Sequence, residues 1–510
     1  MKILVILVFV LNAFHISESV LGTRFWKFRQ LVEHHRRQRA DQVIAERYRK
    51  NGYRSSPTQT FFLEQPLDHF NAMFKELGKT YKQRYYVNAE FWFGQESPVF
   101  LFIGGEGTLT ARDVEAGEMY ELGRQHKALL VGVEHRFYGA SLNDDGLQLE
   151  ELEYLSSQQA LADLATFVRY IRTKYGIPDS TQWICFGGSY PGALSAWFRL
   201  KYPHLVAGAV ASSAPVRAIT NFEGYNDVVA ASLSSELVGG SKGCLETVRA
   251  AFRQIDDMIL YTLYDQLQED FQSCNKISMQ EDTVQFVSNL AGNIMGVVQY
   301  NNEIPGQNIS HVCEVMTSTS NPYTNLVALN KEYMAMSNET CVDNSYMNYT
   351  AMMSNTTVDR AAMGAGERQW TYQTCSQFGY YQTCDANTDC PFSKQMSLAY
   401  SDLQICQKIF KINPADVDVD VQFTNDYYGG NRTQQSKIVF VNGSIDPWHW
   451  LSILTNQTAL HQYAVFIPGT AHCADLGTAR DSDPAALSAA RQEIAGLVAQ
   501  FLEDAVRRKP

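Results

Sequence analysis

The sequence predicts an α/β fold: a mostly parallel sheet covered by helices on both faces, with a mainly helical, disulfide-braced cap inserted into it. Three observations carry that expectation. Short apolar runs of strand length alternate with amphipathic helical stretches as far as Pro215, the pattern that strand–helix–strand units leave in a chain. The alternation stops over residues 216–425, where eight of the ten cysteines fall. It then resumes and runs to a closing amphipathic helix over 485–506.

Taken in order, Tyr85–Phe93 alternates and is rich in β-formers, and Val99–Ile103 is a short apolar run ending at Gly104-Gly105. Ala128–Val133, Trp183–Phe186 and Ala207–Ala211 read as buried strands. Between them, residues 158–174 put Leu161, Leu164, Phe167, Val168 and Ile171 on one helical face. Lys437–Val441 and Val465–Ile467 read as late strands. The expected division is therefore a core in two parts, 59–215 and 426–510, around a cap at 216–425. The cap cysteines (Cys244, Cys274, Cys313, Cys341, Cys375, Cys384, Cys390 and Cys406) are even in number and suit up to four disulfides, with the pairing left open. No repeated Cys-x-x-Cys pair points to zinc, so no metal is expected. Cys185 and Cys473 read most simply as free buried thiols, with a mutual disulfide as the alternative.

At 510 residues and 45% hydrophobic, the chain can bury a sizeable core. Its net charge of −12 argues against a general phosphate-backbone binder, so no nucleic-acid partner is expected. Lys2, the apolar run Ile3–Phe14, and the small residues Ser17 and Ser19 suggest a signal peptide over 1–19. That run is too short to span a bilayer and no later stretch is long enough, which predicts a secreted or lysosomal/endosomal protein without stable membrane insertion. Sequons begin at Asn308, Asn338, Asn348, Asn355, Asn431, Asn442 and Asn456. All but Asn442, which lies beside the candidate site, are expected to carry glycans. Residues 24–54, within a basic segment at 20–58, hold a local +7, which leaves −19 on the rest. That segment suggests either a helix lying on an acidic body or a removable pro-segment.

The chemistry is concentrated in Cys185-Phe186-Gly187-Gly188-Ser189-Tyr190-Pro191-Gly192. A buried strand runs through glycines into Ser189 and then a helix, the turn that lifts a nucleophilic serine clear of a sheet. Pro191 stands where the usual Gly-x-Ser-x-Gly pattern has its second glycine. A serine needs a base, and the base an orienting acid. In an α/β-hydrolase these follow as Ser, Asp, His after late strands. Asp446 and His472 follow the strands at 437–441 and 465–467 in that order, whereas His449 lies in the acid's own loop and His461 precedes its strand. The oxyanion donors would be the Tyr190 backbone N–H and one from the Gly104-Gly105-Glu106-Gly107 loop, best Gly105. Glu106 suits either a structural hydrogen bond or a substrate amine.

These landmarks, with Gln65-Pro66-Leu67-Asp68-His69-Phe70, Glu134-His135-Arg136-Phe137-Tyr138-Gly139, Ser212-Ser213-Ala214-Pro215 and Gln369-Trp370-Thr371-Tyr372, resemble the serine peptidase family of prolyl carboxypeptidase, dipeptidyl peptidase II and thymus-specific serine protease. Trp183-Ile184-Cys185-Phe186 and Tyr427-Tyr428-Gly429-Gly430 look most like the thymus-specific branch. The resemblance implies an α/β-hydrolase core, a helical cap over the site, Ser189, Asp446 and His472 as a triad, and no cofactor. It also implies peptide substrates cut next to proline, from one chain end or the other. Trp370 and Trp448 would be walls of a proline pocket or, equally, packed core aromatics. His135 is expected to make buried hydrogen bonds outside the triad. An esterase or lipase, or a silent binding protein on the same fold, are the rival readings, and a homodimer is left open.

Overall fold

The structure is a computed structural model that describes residues 24–51, 58–71, 78–358, 366–400, 403–433 and 436–507. The expected signal segment lies outside the described residues. The basic segment forms one helix, α1 (Arg24–Asn51). The strands are β1 (Gln59–Pro66), β2 (Thr80–Asn88), β3 (Val99–Ile103), β4 (Leu129–Val133), β5 (Trp183–Gly188), β6 (Gly208–Ser212), β7 (Ile219–Asn221), β8 (Gly379–Tyr381), β9 (Ile438–Gly443) and β10 (Gln462–Ile467). Eight of them form one sheet in the order β1-β2-β4-β3-β5-β6-β9-β10, and β7 pairs with β8 apart from it. The sheet is antiparallel at β1–β2 and β2–β4 and parallel from β4 to β10.

Alternation along each parallel strand divides the core into two layers. Leu101, Val131, Cys185, Ala209 and Phe440 face helices α3 (Ser157–Tyr175) and α4 (Tyr190–Lys201). Phe100, Leu130, Phe186, Val210 and Val439 face α2 (Glu118–His126) and α9 (Ala485–Arg507). α3 starts where the Ser156 side chain accepts from Gln159 N and ends at Gly176 with φ 64°. Such a cap contributes about 1 kcal/mol, and the left-handed C-cap suits glycine.

The strand expected over Tyr85–Phe93 is displaced. β2 ends at Asn88, whose side chain accepts from Glu90 N, and Trp92 N bonds back to Ala89 O, so 89–93 turn away and Phe93 is exposed. The edge strand β1 had no apolar signature, since its burial alternates at a solvated edge.

The described residues of 216–425 give no strand to the large sheet. They hold α5 (Lys242–Leu260), α6 (Gln280–Gln299), α7 (Pro322–Met336) and α8 (Pro414–Tyr428), with shorter helices between. All eight of their cysteines pair: Cys244–Cys313, Cys274–Cys341, Cys375–Cys406 and Cys384–Cys390. Cys185 and Cys473 are free, so the alternative of a disulfide between them falls. Among the sequons, Asn338, Asn355, Asn431 and Asn456 are exposed, Asn308 and Asn348 are half-buried, and Asn442 is buried.

Candidate active site

Four loops meet at the carboxyl ends of the parallel strands. β3 and β5 are neighbours, but the chain leaves β3 for β4 on one side and β5 for β6 on the other. A crevice opens where strand order reverses in this way. Into it run Gly104–Gly107 from β3 and Ser189 from β5. Asp446 and His472 follow β9 and β10.

Ser189 has φ 64° and ψ −132°, a strained conformation for a residue with a side chain. Close packing forces it. A Cβ on Gly188 would lie 2.6 Å from Leu476 Cδ1, and one on Gly192 2.5 Å from Ser212 O. Pro191, the departure from the usual pattern, is accommodated from the facing loop: Gly105 lies so close to it that a Cβ would fall 2.5 Å from Pro191 Cδ. The glycine missing from the elbow is thus matched by one in the β3 loop. Gly105 N–H makes no hydrogen bond among the described residues. Tyr190 opens α4, so its N–H has no partner within the helix.

Asp446 is fully buried, and its Oδ1 accepts from His472 Nδ1 at 2.9 Å and from Trp448 N at 3.1 Å. Oδ2 has no partner among the described residues. Burial alone would lower the His472 pKa, but the adjacent Asp446 carboxylate outweighs it, with Cys473 adding, and the imidazole is held well above its ordinary value. Of the rival histidines, His449 faces Gly443 O at 3.2 Å and His461 lies against Asp504, away from the cavity. Ser189 and His472 line the same cavity of about 520 Å³. No hydrogen bond joins them among the described residues, a loose arrangement common before substrate binds.

Several supports had no sequence signal. Gln299, at the end of α6, accepts His472 N–H through its backbone carbonyl at 3.0 Å. Its side-chain oxygen accepts from Trp448 Nε1 at 2.9 Å and Tyr225 Oη at 2.7 Å. Arg491 of α9 clamps the chain beyond His472 by donating to Ala474 O, Asp475 O and Gly477 O. His135 has the structural role expected of it. Nδ1 lies 2.7 Å from Arg136 O and so carries the proton, Nε2 lies 2.9 Å from Tyr190 Oη, and burial lowers its pKa to about 4.

Trp448 is buried with its N–H spent on Gln299, Trp370 is half-buried, and both indoles pack on Tyr380. Neither is among the residues lining the cavity beside Ser189, while the Trp448 ring lies 6.3 Å from that of His472 and the Trp370 ring 5.7 Å from that of Tyr190. Glu106 does line the cavity, where it meets Arg29 of α1 at 3.1 Å.

Comparison with known proteins follows the same lines. Residues 65–494 match the family model described as serine carboxypeptidase S28. The chain is 39% identical to the thymus-specific serine protease of Mus musculus over 452 residues, covering 87% of each chain. It is 37% identical to the Homo sapiens protein of that name, covering 85% of this chain and 84% of that one. Against the lysosomal Pro-X carboxypeptidase of Bos taurus it is 29% identical, covering 89% and 90%. The chain belongs to the serine carboxypeptidase S28 family, and its reaction class is that of a serine peptidase.

Proposed function

We propose that this protein is a serine exopeptidase of the secretory pathway, secreted or lysosomal, that cuts short peptides next to proline. Ser189, His472 and Asp446 act as its triad. The observation that carries the reading is the buried Asp446–His472 pair at 2.9 Å on the cavity that Ser189 lines from its strained turn.

In this mechanism Ser189 Oγ attacks the scissile carbonyl carbon while His472 Nε2 takes the hydroxyl proton. Asp446 fixes the ring through Nδ1–H and stabilises the imidazolium. The tetrahedral oxyanion accepts from the Gly105 and Tyr190 N–H groups, both free of backbone partners. His472 then gives its proton to the departing amine. A water, deprotonated by the same ring, hydrolyses the acyl-enzyme. Glu106, beside the oxyanion loop, suits the free amino terminus of a substrate.

The test compares wild type with Ser189→Ala on two fluorogenic probes, at about pH 5 and about pH 7.4. One is a free-amine Xaa-Pro amide, the other a blocked peptide ending in Pro-Phe. Release from the first means a dipeptidyl peptidase, and release only from the second a carboxypeptidase. Turnover that survives Ser189→Ala refutes the assignment.

A further inference from the structure

The helix α1 runs across the mouth of the cavity. Its 28 residues extend about 42 Å at 1.5 Å per residue. One end is rooted in the cap: Arg24 donates to Asn293, Asn330 and Glu339, and Phe28 and Val32 are buried against α6 and α7. The other end lies on the core, where Arg47 donates to Glu115 O and stands 3.8 Å over the Tyr120 ring. Between these anchors, Arg29, Val32, Glu33, Arg36 and Arg39 fall on one helical face and form a wall of the cavity that Ser189 and His472 line.

The cations on that wall meet carboxylates across the cavity. Arg29 meets Glu106 at 3.1 Å, Arg36 meets Glu303 at 3.1 Å, and Arg39 also pairs with Glu303. Arg36 donates as well to the His472 carbonyl at 3.1 Å. The two carboxylates are 9% and 12% exposed at the side chain, depths at which an unpaired charge is strongly disfavoured. Among the described residues, every ion pair that Glu106 and Glu303 make has its cation on α1. Of the arginines that line the cavity from outside α1, Arg480 and Arg491 pair with Asp483 and Arg112 with Asp41, and none of them forms an ion pair with Glu106 or Glu303 among the described residues.

We propose that α1 is a resident occupant of the substrate groove, and that Glu106 and Glu303 are specificity residues which take the cationic groups of a peptide when α1 withdraws. The inference rests on Ser189 and His472 marking the reacting end of that groove. Arg29 stands where a substrate amine or basic side chain would bind beside the oxyanion loop. With α1 in place the groove is neutralised and walled. With α1 displaced it presents two unpaired carboxylates beside the nucleophile, and a cationic peptide restores the pairing that the helix supplied.

The test uses the full chain. A fluorescein-tagged Lys-Ala-Pro-Ala peptide is titrated by anisotropy against Ser189→Ala protein, so that it is not consumed. The variant Arg29→Ala/Arg39→Ala leaves Arg36 on the His472 loop. It should bind the peptide about tenfold more tightly, because a larger fraction of molecules is open. Arg29→Lys/Arg39→Lys, which keeps the charges, should bind as wild type does. Acetylating both amino groups of the peptide should weaken binding to the opened variant about tenfold, and Glu106→Gln or Glu303→Gln should erase that difference. Unchanged affinity in the opened variant overturns the occupancy of α1. Equal affinity for free and acetylated peptide overturns the role of the carboxylates. Should the double variant melt early, Arg39→Ala alone decides by the same comparison. Fluorophosphonate labelling of the parents that retain Ser189 tests the nucleophile separately, so the failure of one reading is distinguishable from the failure of the other.

Discussion

Gly105→Ala tests the seat of the oxyanion loop on the serine elbow with a single carbon. Its Cβ would lie 2.5 Å from Pro191 Cδ and nearer still to Cγ, against 3.4 Å for ordinary contact, so the loop must retreat by about 0.9 Å or more. An oxyanion donor works at about 2.7–3.1 Å, and a retreat of that size takes the Gly105 N–H out of range. Loss of one such donor costs about 10²–10³ in kcat. Overpacking at the contact should also cost about 1–3 kcal/mol of stability. The assay is kcat and KM on whichever fluorogenic peptide the wild type cleaves, with the melting temperature measured in parallel. The expected result is a kcat at least about 100-fold lower with KM little changed, since the interaction is made in the transition state. Adding Pro191→Gly removes the obstructing ring and restores the usual elbow pattern, so it should recover most of the lost kcat. A Gly105→Ala enzyme with wild-type kcat, or a double variant no better than the single, would refute the reasoning.

The remaining predictions concern the base, the free thiols and the cap. His472 is held above its ordinary 6.5 because Asp446 outweighs burial, and only the neutral ring can accept a proton. Hence kcat/KM should rise with pH through an inflection above 6.5, and an inflection at or below that value would show that burial, and not Asp446, dominates at His472. Stability runs the other way: a raised folded pKa contributes stability that is fully present below the unfolded value and lost as pH rises through the folded one. Asp446→Asn should therefore flatten that slope in urea midpoints measured against pH. Of the free cysteines, Cys473 lines the cavity while Cys185 is buried with its thiol pushed up by desolvation. A maleimide should modify one thiol per native chain, disappear with Cys473→Ala, and block fluorophosphonate labelling of Ser189; two reactive thiols would contradict the packing. Gln299→Leu strands the buried donors of Tyr225 and Trp448, at about 1–3 kcal/mol each. It should lower the melting temperature while keeping the backbone carbonyl that holds His472 N–H, and an unchanged melting temperature would contradict the reliance of those two donors on the Gln299 side chain.

What the sequence revealed follows from what each element must do alone. β3, β4, β5, β6 and β9 are buried on both faces, so they read as continuous apolar runs whatever surrounds them. The Ser189 turn was legible because its glycines answer a local demand, close backbone approach. Asp446 and His472 were legible from chain order after late strands. β1 was not, because an edge strand with alternating burial carries Gln59, Thr60 and Glu64 facing solvent, while the buried Gln65 side chain is paired by Gln83 and Asp163 from other elements. Gln299 and Glu303 had no signal either. Their roles arise where α6 docks on the β10 loop and under α1, and a polar residue at a helix end looks the same in sequence whether or not it meets a histidine loop. Nor did the sequence show that Trp370 and Trp448 would meet through Tyr380, or that Trp448 would spend its N–H on Gln299.

The same contacts constrain how this enzyme could change its substrates. The Asp446–His472 pair is built on core loops, but the backbone of His472 is held from outside them, its N–H by Gln299 of the cap and its carbonyl by Arg36 of α1. Residues 216–425 therefore help to hold the His472 loop, and removing α6 would release the backbone of that histidine. α1 is different in kind. Its grip near the site includes cations on Glu106 and Glu303 beside the buried Val32, with the apolar Phe28 buried towards the cap end and Ile44 towards the core end. A helix held in that way can loosen over the groove without unmaking the core of either layer. Loosening α1 would still release the His472 carbonyl from Arg36, whereas loss of α6 would release the His472 N–H, so both elements couple access to the position of that loop.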